Sequence, residues 1–307
     1  MDFGVTILII FAAALIISFL KGNSKDRCLK DFKKDFIIIS FIDKTAVWGM
    51  QILASTGIYV KYQKPYKNEK HVETGFFLYK TEFPTVQGFY RPIEYMSDQK
   101  QKNRNRKIMV IGKKPIMLLF DKIRMFFSSV RDAIVQSMMM FTAKMVPQTS
   151  VFSKNQKYLN DVNTSVIDYI GFSYDPLLER NIGSKVVYEL KKDGEWKEYT
   201  GVLVKYTKDF LLFYDTQTEI TVDLKLNGND VHTENLMVKL KRNGSILKVK
   251  NMRNNPVIVG NGKTVNPGSE ISIEVGEDQN IKIALTLIEN VDAIFPQSIC
   301  SVRHTTC

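Results

Sequence analysis

Between Ser97 and Lys114 the chain carries Lys100, Lys102, Arg104, Arg106, Lys107, Lys113 and Lys114 against one acid, Asp98. Basic side chains at this density are suited to a polyanion, because each presents N–H donors and a positive charge to phosphate. An apolar, helix-periodic stretch follows directly. The chemistry expected of the run is therefore electrostatic contact with acidic lipid headgroups, worth roughly 1 kcal/mol per side chain. A second basic set, Lys21, Lys25, Arg27, Lys30, Lys33 and Lys34, follows the uncharged run Phe3 to Leu20 and reads as a topology signal.

Bond-making chemistry has no comparable support. Cys28, Cys300 and Cys307 are odd in number and far apart, with no CxxC pair. They form neither a zinc site nor a disulfide framework, and they suit a reducing compartment. His71, His232 and His304 are scattered, so no nucleophile–histidine set can be assembled. The phosphate-loop, GxGxxG, HExxH and GxSxG patterns are absent. Asp175 and Glu179 lie four apart and could share a helix face, where capping and pairing with Arg180 or Lys185 is the expected role. The sequence thus points to a protein that is not an enzyme, with no catalytic, cofactor or metal residue and no cofactor.

The elements that must carry the basic run follow from periodicity. Residues 1–21 hold an 18-residue charge-free stretch, long enough for a transmembrane helix. The basic flank on its C-terminal side puts the N-terminus outside and the bulk in the cytoplasm, at the inner (plasma) membrane. Residues 25–96 read as a β-meander: FIIISFID, AVWGMQILAS, GIYVKYQ and TGFFLYKTEF are short, β-branched or aromatic, and separated by polar turns. Residues 97–147 form the basic linker and a long amphipathic helix, with apolar positions stepping by three or four from Ile116 to Met145 and Pro147 at its end. A connecting segment, 148–184, follows. Strands resume over 185–228, and 231–290 repeats short strands between Asn-Gly and Asn-Pro turns, the pattern of a small antiparallel sandwich. Residues 291–307 read as a tail.

Phe36 to Tyr62 and Val187 to Asp215 echo one another at an offset of about 152 residues: a strand, a turn with Asp, then a strand holding one glycine, Gly49 or Gly201. The second segment, with its Asp193-Gly194 turn, resembles the Sm-like β-barrel pattern, and the first resembles it more weakly. The order anchor, Sm-like module, basic helix, second module is similar to an uncharacterised bacterial single-pass membrane protein family. That resemblance rests on DRCLKDF, HVETGFFLYKTEF and YDPLLERNIGSKVV. It implies assembly through strand edges, and at the same level it resembles the cytoplasmic part of small mechanosensitive channels. RNA binding, the other family function, is disfavoured: Asp209 is present, but Leu211 stands where an Asn is expected, and Ser55, Thr56 and Gly57 replace both residues in the first module.

The fold class expected is mostly β with helices (α+β): a transmembrane helix, two small Sm-like barrels flanking a long amphipathic helix, and a C-terminal β-sandwich-like domain. The function expected is a membrane-anchored, cytoplasm-facing scaffold that forms a homo-oligomer or joins other membrane proteins, with the lipid bilayer and its acidic headgroups as partner. A subunit of an oligomeric channel and a membrane-tethered nucleic-acid binder are the alternatives, and nucleic acid is the disfavoured partner. The net charge of +11 accords with any polyanionic surface.

Overall fold

The strand signals resolve into one plan used twice. A computed structural model describes residues 25–67, 71–111, 175–227, 230–231, 236–260, 262–276 and 280–306. In the first half a 3-10 turn (Leu29–Phe32) leads into β1 (Phe36–Phe41), β2 (Ala46–Leu53), β3 (Gly57–Lys67) and β4 (Val72–Tyr79). A second 3-10 turn (Lys80–Thr85) then delivers β5 (Val86–Pro92) back onto β1. In the second half a short helix precedes β6 (Lys185–Lys192), β7 (Glu195–Tyr206) and β8 (Phe210–Asn227). After an excursion the chain returns as β15 (Asn280–Pro296) along β8, and β16 (Cys300–Thr305) closes back onto β6. In each half, a meander ends with its last strand beside its first.

The excursion between β8 and β15 builds a separate four-stranded sheet, in the order β14 (Glu270–Glu274), β11 (Ile246–Asn251), β10 (Val238–Asn243), β9 (Asp230–Val231). A small hairpin, β12 (Val257–Val259) with β13 (Lys263–Val265), rests on β15.

The halves are joined through their backbones. β15 pairs antiparallel with β5, with Ile294 opposite Phe89 and Ala293 opposite Tyr90. One twelve-stranded sheet therefore runs β16-β6-β7-β8-β15-β5-β1-β2-β3-β4, with β12 and β13 attached at β15. Its two faces carry two cores, each drawing on both halves. Ile37, Ile39, Ile58, Val60, Leu78 and Phe89 pack with Phe210, Leu212 and Tyr214. On the other face Val186, Tyr188, Leu203, Phe213 and Phe295 pack with Phe36, Ile38 and Tyr90. This explains the unbroken apolar runs FIII and FLLFY: β1 and the Phe210–Tyr214 stretch of β8 are buried on both faces, so they do not show the alternation of a half-exposed strand. The strand-two glycine of the first half has a steric reason, since a Cβ on Gly49 would collide with the Lys61 carbonyl of β3.

Several expectations are corrected by this topology. The barrels are not separate modules on either side of a helix but consecutive lengths of one sheet. The second is incomplete at residue 228 and needs β15 and β16, which lie in the stretches read as sandwich and tail. Periodicity marks a strand but not its partner, and the completing strands are supplied after an insertion of some fifty residues. The expected transmembrane helix, residues 3–20, lies outside the described residues, as does the amphipathic helix from Ile116 to Met145. No helix among the described residues is long and apolar enough to cross a membrane. The fold is thus a mostly β one of antiparallel sheets, and the expected single-pass membrane architecture finds no support in it. What the structure describes in that central region is α1 (Asp98–Ile111), helical from within the basic run itself.

Candidate functional site

α1 spans the seam where the halves meet. Lys100, Arg104 and Lys107 are spaced by four and three residues, which brings them to one helical face. That face meets carboxylates from both halves. Arg104 is almost fully buried. Its Nε donates to Asp292 Oδ2 at 2.8 Å, and one terminal nitrogen donates to Asp292 Oδ1 and to Asp215 Oδ1, each at 2.6 Å. Arg91, on β5, approaches the same Asp292 from the sheet side: Nε lies 3.2 Å and a terminal nitrogen 2.5 Å from Oδ2. The other terminal nitrogen of Arg91 donates to Asp35 Oδ2 at 2.8 Å and to the Asp31 carbonyl at 3.0 Å.

The cluster continues outward from this pair. Lys100 is paired with Asp35 and also donates to the Lys34 carbonyl at 2.8 Å. Lys107 is paired with Asp31, and Tyr214 donates its hydroxyl to the same carboxylate. Lys205 approaches Asp31 at 3.6 Å. The guanidinium carbons of Arg91 and Arg104 lie 5.3 and 5.0 Å from the Tyr214 ring centroid, and Arg91 also lies 4.4 Å from that of Phe32.

Five cations thus face four carboxylates, nearly balanced, in a site mostly removed from water. Burial opposes the charge on Arg91, but Asp292 and the hydrogen bonds from Arg91 to Asp292 and Asp35 outweigh it and hold its pKa above the ordinary arginine value. Burial likewise raises the Asp31 carboxyl, but Lys107, Tyr214 and Lys205 together bring it below the usual range. Tyr214 is pushed well up, first by burial and then by the adjacent Asp31.

Each cation of this cluster is paired with at least one of its carboxylates. The arrangement can lock α1 across the β5–β15 joint. It also places the helix end: Ile111 lies against Gly183, at a positive φ of 82°, where an added Cβ would come within 2.8 Å of the Ile111 carbonyl oxygen.

Of the seven basic residues expected at a membrane surface, Lys100, Arg104 and Lys107 turn inward to this cluster. Lys102 and Arg106 are exposed, and Lys113 and Lys114 lie outside the described residues. Of the topology set, Lys25 donates to the Leu53 carbonyl at 2.9 Å, Arg27, Lys30, Lys33 and Lys34 are exposed, and Lys21 lies outside the described residues. The carboxylates that receive the helix carry no local motif. A partial signal was Asp292 itself, a lone acid in the apolar run VDAIF.

No known protein family, curated protein or solved structure matches this chain. Asp175 caps the helix α2 (Pro176–Arg180), accepting from Leu177 and Leu178 backbone N–H groups at 2.8 and 3.2 Å, while buried Glu179 accepts from the Tyr206 hydroxyl at 2.8 Å. Cys28 and Cys300 are free and buried, and burial pushes both thiols up, away from nucleophilic character. Among the described residues no group of three or more His, Cys, Asp or Glu side chains could hold a metal.

One further buried pair links the small sheet to the large one. Arg253, just past β11, reaches Glu289 on β15 at 2.6 Å, beside Glu94 and Tyr95. Hydrogen-bond geometry is poor there: Glu289 Oε1, Arg253 Nε, Glu94 Oε2 and the Tyr95 hydroxyl find no partner. Burial raises the Glu289 carboxyl to about 7, against the pull of Arg253. A carboxyl whose folded pKa exceeds its ordinary value binds its proton more tightly in the folded state. Its contribution is therefore most favourable at low pH and declines as pH rises from the ordinary carboxylate range to about 7. Between pH 5 and pH 8 wild type should lose roughly 2–3 kcal/mol more stability than Glu289→Gln, measured by urea unfolding. Parallel pH profiles for the two proteins would show that Glu289 is ionised throughout.

Proposed function

We propose that this chain is a non-enzymatic scaffold that associates head to tail with copies of itself, β4 of one copy pairing with β16 of the next. The observation that carries the reading is the repeat of strand order within the chain. β15 and β5 join the two halves, and their counterparts by position, β4 in the first half and β16 in the second, are the two ends of the sheet. The contact that holds the halves together thus has its two complementary surfaces left over, one at each end. A sheet edge is a template for a further strand, and a joint between unlike surfaces repeats from copy to copy.

The β4 edge suits this use. Val72, Phe77 and Tyr79 are 58%, 62% and 56% exposed, and Phe77 stacks on Tyr59 of β3 at 4.7 Å. Edges that stay single are commonly guarded by charge, proline or a bulge; this one presents aromatic surface. The ionic cluster supports the same reading, since a stiff joint between the halves would fix the angle between successive copies.

The test is particle mass by sedimentation equilibrium. Wild type should sediment as a multiple of the 35.3 kDa protomer. Phe77→Lys with Tyr79→Lys should move the population to the protomer while leaving thermal unfolding nearly unchanged, because both side chains are exposed. A wild-type protomer at tens of micromolar would overturn the reading.

A further inference from the structure

Among the described residues, a compact set of outward lysines lies on the inserted sheet. β10 and β11 alternate strictly: Val238, Leu240, Leu247 and Val249 point into the core, and Lys239, Lys241, Lys248 and Lys250 point out. Their register sets Lys239 opposite Lys250 and Lys241 opposite Lys248. Directly opposed like charges oppose strand pairing, and the usual occupant across from lysine is an acid or a β-branched residue. Edge protection does not account for them, because β10 and β11 are the two central strands of their sheet. The flanking strand β14 offers partial relief, with exposed Glu270 across from Lys250 and exposed Glu274 at the other end of the same face. Even so, none of the four lysines makes an ion pair or side-chain hydrogen bond among the described residues. Two opposed pairs on a rigid sheet are a cost to folding that a bound anion would reverse.

We infer that this face binds the phosphate backbone of duplex nucleic acid, without reading its sequence. All four are lysine, a point charge able to contact phosphate, and Arg242 on β10 points inward instead. The outward residues of β10 and β11 include no aromatic ring, which single-stranded bases need for stacking. Ile246 and Met252, the exposed apolar residues here, stand at opposite ends of β11 and form no patch that could enter a lipid layer. Four neutralised phosphates give a slope of about −3.6 in log K against log salt, so raising salt from about 50 to 200 mM weakens binding on the order of a hundredfold.

The experiment is fluorescence anisotropy of a labelled 20-base-pair duplex of arbitrary sequence, titrated with the full chain across that salt range. The combined change of Lys239, Lys241, Lys248 and Lys250 to alanine should flatten the slope by about 3 and lower affinity at low salt at least tenfold. Removing opposed like charges should leave the melting temperature equal or higher, so loss of binding would not reflect unfolding. Lys102→Ala with Arg106→Ala, two exposed cations elsewhere, should leave the slope within about 1 of wild type if it is this face that binds. Equal losses in the two variants would overturn the assignment. So would duplex binding that survives the fourfold change, or capture by acidic phospholipid vesicles with none by duplex.

Discussion

Asp292→Ala lowers the stability of the folded chain by about 3–5 kcal/mol, the largest loss expected here from removing a single buried charge. The carboxylate has no solvent exposure and receives hydrogen bonds from both Arg91 and Arg104. Its removal leaves two buried guanidiniums, one from the sheet and one from α1, without their shared carboxylate at the β5–β15 joint, with Asp35 and Asp215 now the nearest carboxylates for them. The loss comes from stranding these cations rather than from the worth of the pair itself, since a buried ion pair replaced whole by apolar residues can be neutral. Asp215 is the control. It accepts from the same Arg104, but its side chain is half exposed, so Asp215→Asn, which also tolerates the positive φ of 53° found there, should cost at most about 1 kcal/mol. Equilibrium urea unfolding of the two variants measures both. Equal losses would mean that the seam is wet and that the cluster does not hold the halves together.

Most strands of this fold were legible, but β5 and β16 were not, nor were the strands' partners. FIIISF, AVWGMQIL and KVVYELKK each fall on a strand close to the expected place, because β-branched runs between polar turns need no tertiary information to be recognised. The pairing of β15 with β5 joins residues some two hundred positions apart, and no local pattern encodes it. The same distance hid the ionic cluster. Arg91 and Asp292 each look like an isolated charge in an apolar strand, and only the fold makes them neighbours. The basic run was conspicuous, but its density was a poor guide to its use. Lys100, Arg104 and Lys107 form an inward-facing helical stripe, while the lysines of β10 and β11 attract no notice in sequence because alternation with apolar residues is ordinary for a strand. The internal echo was readable from Gly49 and Gly201, which stand opposite Ile37 and Val186 in equivalent strand pairs.

That equivalence also gives a register for the contact between copies. Tyr59 pairs with Phe77 as Leu212 pairs with Ile294, so Phe77 corresponds to Ile294. Ile39 pairs with Phe89 as Tyr188 pairs with Val302, so Val302 corresponds to Phe89. Within the chain Ile294 lies opposite Phe89. Between copies Phe77 should therefore lie opposite Val302. Residues directly opposite in an antiparallel pair have Cα atoms about 4.5–5.5 Å apart, within disulfide range. In a single copy the two positions are on strands at opposite ends of the sheet order.

The measurement that bears most directly on head-to-tail assembly is oxidation of the double variant Phe77→Cys with Val302→Cys, followed by electrophoresis without reductant. Head-to-tail pairing should give multimers linked in steps of 35.3 kDa and reversed by reductant, with each single variant remaining largely protomeric and so controlling for the native thiols. A folded double variant that stays protomeric, or single variants that cross-link equally well, would contradict it.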